Sequence, residues 1–206
     1  MNSISTSTVT MNQLTQASKL CHGSLPLSTQ CTDLNKFFDG GLHWGELIEW
    51  GIPWGLGGRQ VPLHFLAAAH RMPGNRPLWC LWVHNRKPLQ VYPPALAAKG
   101  IHLDFLRFAC SEKPIHELKA VFTESLFKLI ILDGVTSINR DDCAFLSQMA
   151  RKHHMSIMLL RDQLLNPDSG NVWARRRLNC WHDPFSMEYH LEGIKGFPIN
   201  RMNIRL

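Results

Sequence analysis

The stretch GIPWGLGGRQ, Gly51 to Gln60, sets four glycines and an arginine between a strand-like run, ELIEW (Glu46 to Trp50), and a helix-like run, RQVPLHFLAAAHRM. A glycine-rich turn at such a junction can aim backbone N–H groups at phosphate. Phosphoryl transfer also needs a Lys for the β- and γ-phosphates and a Ser or Thr hydroxyl for Mg²⁺. Gly51, Gly55, Gly57 and Gly58 can supply the backbone cradle. Arg59 and Gln60 stand where the pattern G-x-x-x-x-G-K-[ST] has Lys and Ser/Thr, if the loop carries two extra residues. Arginine is bulkier and planar and does not replace Lys in a tight cradle. Gln is a poor Mg²⁺ ligand beside a hydroxyl, and Pro53 and Trp54 sit where phosphate wants small residues.

One carboxylate is in place. Asp133, ending KLIILD, matches the position that holds Mg²⁺ through water. No Asp or Glu occurs from Trp50 through Leu103, so VHNRKPLQ, after the second strand-like run, offers His84, Asn85, Arg86 and Lys87 where an attacking water needs a base. The loop reads as degenerate: no catalysis and no cofactor are expected, with weak nucleotide binding left open.

A second cluster could grip a strand or a partner. Arg161, Gln163, Trp173, Arg175, Arg176 and Arg177 combine charge with an aromatic face, as in single-stranded nucleic acid grooves. Strand alternation gives the competing reading, with Arg175 and Arg177 on one solvated face and Leu178 inward. Of the seven tryptophans, Trp79 and Trp82 read as core, while Trp44 and Trp54 flank the loop and are expected to plug its cavity. The six cysteines are scattered and read as reduced, mostly buried thiols; His153 and His154 are adjacent and diverge on a helix, so no metal site is expected.

Short apolar runs supply the scaffold: ELIEW, LWCLWV (Leu78 to Val83), FLRFA (Phe105 to Ala109), KLIILD (Lys128 to Asp133) and SIMLL (Ser156 to Leu160). Two of them are almost continuously apolar, which suits strands covered on both faces. Helical stretches alternate with them. PIHELKAVFTESLF places Ile115, Leu118, Phe122 and Leu126 on one stripe, and DDCAFLSQMARKH opens with acids and closes with bases. After the loop QLLNPDSGNVWARRR, the runs RLNCWH, SMEYHLEG and NRMNIRL read as short antiparallel strands. The expected fold is α/β, a mostly parallel central sheet flanked by helices and finished by short antiparallel strands.

At 206 residues the chain fits one domain, and 45% hydrophobic with 18% charged residues reads as soluble and globular. Residues 1–24 are polar and nearly uncharged, a flexible leader with no signal-peptide pattern, ahead of a single domain at 25–206. The net charge is +6, with nine Lys/Arg against five Asp/Glu from Arg151 onward. A modest basic region fits nucleic acid, an acidic partner or an ordinary surface. No membrane partner is expected.

The order of a short helix, a double glycine, a G-x-hydrophobic-x-E strand and a glycine loop, with Gly40, Gly41, Gly45 and Glu49 in frame, resembles the opening of the RecA recombinase core. KPLQVYPPALAAKGIHLDFLRFACSEKPIHELKAVFTESLFKLIILDGVTSI continues that pattern, with a Pro-started helix ending at Gly100 and a turn at Asp104. The chain departs from RecA at the Lys, the Thr and the catalytic Glu. It is more similar to two degenerate RecA relatives, ImuA of bacterial mutagenesis cassettes and SulA, the cell-division inhibitor. SIMLLRDQLLNPDSGNVWARRRLNC looks like both, and the N-terminal glycine frame looks like ImuA. That resemblance implies a RecA-like fold and a non-catalytic accessory role in SOS-induced translesion synthesis and DNA repair. The implied partners are RecA and ImuB, a Y-family polymerase homologue, with single-stranded DNA a further candidate at Gln163 to Asn171. The implied location is cytoplasmic and nucleoid-associated. The rivals are a SulA-like inhibitor of FtsZ and a DNA-dependent ATPase in which Arg59 replaces Lys.

Overall fold

The computed structural model describes residues 25–71, 77–85 and 93–206. The leader at 1–24 and the positions Arg86 and Lys87 lie outside the described residues. Strands β1 (Glu46–Gly51), β2 (Cys80–His84), β3 (Leu106–Cys110), β4 (Leu129–Asp133), β5 (Ser156–Arg161), β6 (Arg176–Asp183), β7 (Glu188–Lys195) and β8 (Arg201–Ile204) form one eight-stranded sheet. Their order is β3-β2-β4-β5-β1-β6-β7-β8. The pairs from β3 across to β6 are parallel, and β6–β7 and β7–β8 are antiparallel. All five or six residues of β1, β2 and β4 are buried, as the unbroken apolar runs require.

Alternate residues of each strand feed two apolar layers. On one face Ile48, Trp50, Trp82, Ile131, Met158 and Leu160 pack under helices α1 (Thr32–Phe37) and α2 (Gln60–His70). On the other, Leu47, Leu81, Val83, Ile130, Leu132 and Ile157 meet Leu146, Met149 and Ala150 of helix α6 (Arg140–His153). The ends of α6 are defined chemically. The Asn139 side chain accepts the Asp142 N–H at 2.9 Å while Asp142 accepts the Asn139 N–H at 3.0 Å, and His154 turns left-handed to stop it.

Three helices differ in detail from the sequence pattern. Helix α3 (Pro93–Ala98) is short and buries no residue, ending before Gly100 as expected. The stripe expected from Ile115 to Leu126 is broken into α4 (Pro114–Glu117) and α5 (Lys119–Thr123), because Leu118 leaves helical geometry at φ −117°, ψ 30°. Glu124 is extended, so the chain rotates; Leu126 comes out 56% exposed and Phe127 is buried in its place beside Phe122. The C-terminal strands are antiparallel as expected, and β6 and β7 run longer, eight residues each. No described helix is long and apolar enough to cross a membrane.

Candidate functional site: a self-occupied loop and a stapled neighbour

Arg59 is the residue before α2, in helical geometry with no capping bond from its side chain. That side chain folds back beneath the glycine loop. Its Nε donates to Asp133 Oδ1 at 2.8 Å, Nη1 donates to the Ile52 carbonyl at 3.1 Å, and Nη2 donates to Asp162 Oδ1. Trp54 lies over the guanidinium, 4.7 Å from its ring centre. Trp82 Nε1 donates to the other oxygen, Asp133 Oδ2, at 3.3 Å. Asp133 is buried, and both of its oxygens already accept from nitrogen donors of the protein.

The expectation of a tryptophan plug is therefore corrected. Trp54 is 52% exposed, and Trp44 packs at the edge of the core with Nε1 donating to the Leu25 carbonyl. The group filling the space is Arg59, drawn inward by two carboxylates and stacked from outside by indole.

The glycines serve the packing of the loop. A Cβ on Gly58 would lie 2.7 Å from the Cys180 carbonyl oxygen and 2.8 Å from Ile52 Cγ2; one on Gly51 would meet Asn179, Leu165 and Gln163. Gly57, at φ +68°, lies against His182. Gly55, at φ +84°, faces open space. The loop leans on β6, where the His182 N–H donates to the Leu56 carbonyl at 2.8 Å. Gln60 opens α2 and is exposed. Among the described residues a nucleoside triphosphate with Mg²⁺ does not fit this set: the metal-side carboxylate is spent, the loop's own arginine is paired twice, and no hydroxyl stands at the helix start.

Next to the loop, across β1 and β5, lies a second charged cluster. Glu49 accepts from Arg161 Nε and from Arg177 Nε, each at 3.1 Å. Arg177 Nη2 also donates to the carbonyls of Asn166 at 3.2 Å and Ser169 at 2.9 Å. Asn179 accepts the Leu165 N–H at 2.7 Å, and Lys195 Nζ donates to the carbonyls of Val172 at 3.1 Å and Ala174 at 2.7 Å. Three side chains from β6 and β7 thus staple the segment 162–175 to the sheet. Beneath it, toward α6, opens a cavity of about 780 Å³ bordered by Glu49, Cys143, Arg161, Asn166, Asn171 and Arg177, among others. Burial, the largest cause, pushes the Cys143 thiol up to about 11, so it sits there as a neutral small group.

The arginine triplet divides. Arg175 is exposed. Arg176 and Arg177 are 5% and 6% exposed, so the solvated face expected for Arg175 and Arg177 holds for Arg175 alone. Arg176 points to the α1–α2 side, where Nε and Nη2 hold Glu46, Nη1 donates to the Phe38 carbonyl at 2.9 Å, and the Phe38 and Phe197 rings lie 5.2 and 5.6 Å away. Both buried arginines are spent on carboxylates of β1 and are withdrawn from any outer contact surface. What faces solvent is Gln163, Leu164, Val172, Trp173 and Arg175, with Leu164 50%, Val172 62% and Trp173 40% exposed. Arg161 is partly buried on Glu49. Sequence reasoning missed Asp162, Asn179 and Lys195; their roles arise from partners 14 to 103 residues away. Among the described residues no group of three or more His, Cys, Asp or Glu could hold a metal ion.

No family model and no curated protein matches the sequence. Among solved structures, the chain is similar to the crystal structure of the RadB recombinase, with a TM-score of 0.67 over 87% of this chain and 95% of that one, at 16% identity. That likeness, with the strand order above, establishes a RecA-like fold.

Proposed function

We propose that this chain is a non-catalytic RecA-fold accessory protein of damage-induced translesion DNA synthesis, acting by binding RecA and an ImuB-like homologue of Y-family polymerases. The observation that carries the reading is Arg59 tied to Asp133 and Asp162 in the space that a phosphate and its metal occupy in a working loop. A fold that neutralises its own metal-side carboxylate has given up phosphoryl transfer and keeps its sheet as a platform. The exposed, stapled segment bearing Leu164, Val172, Trp173 and Arg175 suits a partner, because a rigid aromatic anchor loses little entropy on docking. Single-stranded DNA is a further ligand of this segment through Arg175 and Trp173.

The test has two arms. Calorimetry with Mg-ATP should give no heat beyond dilution; micromolar binding that vanishes in Arg59→Ala would overturn the non-catalytic reading in favour of an ATPase with an unusual loop. Capture by immobilised chain should retain purified RecA and a Y-family-like partner, weakened at least tenfold by Trp173→Ala. Retention of FtsZ in their place would transfer the chain to a cell-division inhibitor role.

A further inference from the structure

The acid-free run from Trp50 through Leu103 has a consequence on the surface, at the end of α2 opposite Arg59. There the second half of α2 and the residues after α3 enclose a cleft of about 410 Å³, bordered by Gln30, His64, Arg71, Lys99 and Gly100. Its charged members are all basic, and no carboxylate lines it. Among the described residues neither Arg71 nor Lys99 forms an ion pair with a carboxylate. Elsewhere the buried or half-buried arginines Arg59, Arg161, Arg176 and Arg177 are each neutralised by Asp or Glu. The positions are fixed by the fold. Gly100 turns at φ +77°, and a Cβ there would lie 3.2 Å from Arg71 Nη1, so the guanidinium rests against this glycine. His64 feels both cations: its pKa is lowered by burial first, then by Lys99 and Arg71.

We propose that this cleft binds a phosphate group. Arg71 and Lys99 would each donate to the phosphate oxygens, with the Gln30 amide at the rim. The competing role for the two bases is to neutralise the C-terminal ends of α2 and α3, each worth roughly half a negative charge. Two full cations exceed that, and α3 has only six residues, so a surplus of about one positive charge stays in the cleft. The phosphate is either a phosphodiester of single-stranded nucleic acid or a free phosphate-bearing small molecule. The site is independent of the partner reading above, which uses none of these residues.

The experiment uses the full chain, a fluorescent oligo-dT and inorganic phosphate. With oligo-dT, the double variant Arg71→Gln/Lys99→Gln should bind at least tenfold more weakly. Its salt slope should fall by about 0.7, the contribution of one single-strand phosphate contact. Inorganic phosphate, against chloride at matched ionic strength, should shift the His64 imidazole resonance in the wild type and leave it in place in the double variant. If the double variant misfolds by circular dichroism, Lys99→Gln alone, at an exposed position, should weaken oligo-dT binding and lower the slope by less than that single-contact value. A phosphate-dependent His64 shift with no change in oligo-dT binding supports the site and assigns it to a free phosphate-bearing molecule. Three results overturn the proposal: variants that match the wild type in both arms, a wild type that responds to neither probe, or poly-glutamate displacing oligo-dT as well as phosphate does.

Discussion

Arg59 Nε lies 2.8 Å from Asp133 Oδ1, joining the residue that precedes α2 to the end of β4 across the intervening strand β5. The pair makes a closed circuit where a nucleotide loop would be open, and the two residues should be coupled. Arg59→Ala and Asp133→Asn should each destabilise the chain, since each leaves the other charge uncompensated in a poorly hydrated place. The double variant should cost less than the sum by about 2 kcal/mol, read from urea midpoints in a double-mutant cycle. Additivity within a few tenths of a kcal/mol would mean the pair is incidental.

Glu49 and Glu46 should separate in their consequences. Both are buried against arginines, so Glu49→Gln and Glu46→Gln should each cost about 3–5 kcal/mol by stranding cations. Glu49→Gln should in addition speed amide exchange through 162–175, because Arg177 loses the partner that orients it toward the Asn166 and Ser169 carbonyls. Glu46→Gln should leave that segment's protection unchanged.

The loop glycines should rank by their surroundings. Gly58→Ala forces a methyl to within 2.7 Å of a backbone carbonyl and should cost several kcal/mol. Gly55→Ala meets no atom within 4 Å and carries only the left-handed penalty at φ +84°, about 1 kcal/mol. The reverse order in thermal denaturation would show that the glycines answer to something other than packing.

Acid should weaken the fold through His70. This residue is 4% exposed, its Nδ1 accepts the His102 N–H at 2.9 Å, and its pKa is lowered to about 4. Burial is the main cause, and His102 adds to it. Unfolded, the same imidazole titrates near 6.5, so between about pH 6.5 and 4 the unfolded chain takes up a proton that the folded chain refuses. Its contribution is whole above that window and declines as pH falls through it, by an amount on the order of 3 kcal/mol at the lower limit. The stability difference between wild type and His70→Gln should shrink over this range; a constant difference would remove His70 from the acid response.

The parallel core was legible because unbroken apolar runs such as KLIILD have one economical use, a strand covered on both sides. The break at Leu118 was not, since helical spacing continues through it and only the packing of Phe122 and Phe127 turns the chain. At the site, composition exposed the missing Lys and hydroxyl, yet gave no hint that Arg59 would turn inward, because Asp133 and Asp162 are 74 and 103 residues away. Arg176 and Arg177 were misread for a related reason. An arginine on a strand reads as solvated until its partner strand is known, and β6 pairs with β1 from 128 to 130 residues away.

That pairing carries its own safeguard for assembly. Adjacent arginines on β6 point to opposite sides of the sheet, one toward Glu46 and the other toward Glu49. Slipping β6 by a single residue along β1 would turn each guanidinium to the opposite face, away from its own carboxylate, and break both buried pairs. The antiparallel meander therefore joins the parallel sheet at a charge-coded alignment mark, which a misregistered β6 would lack.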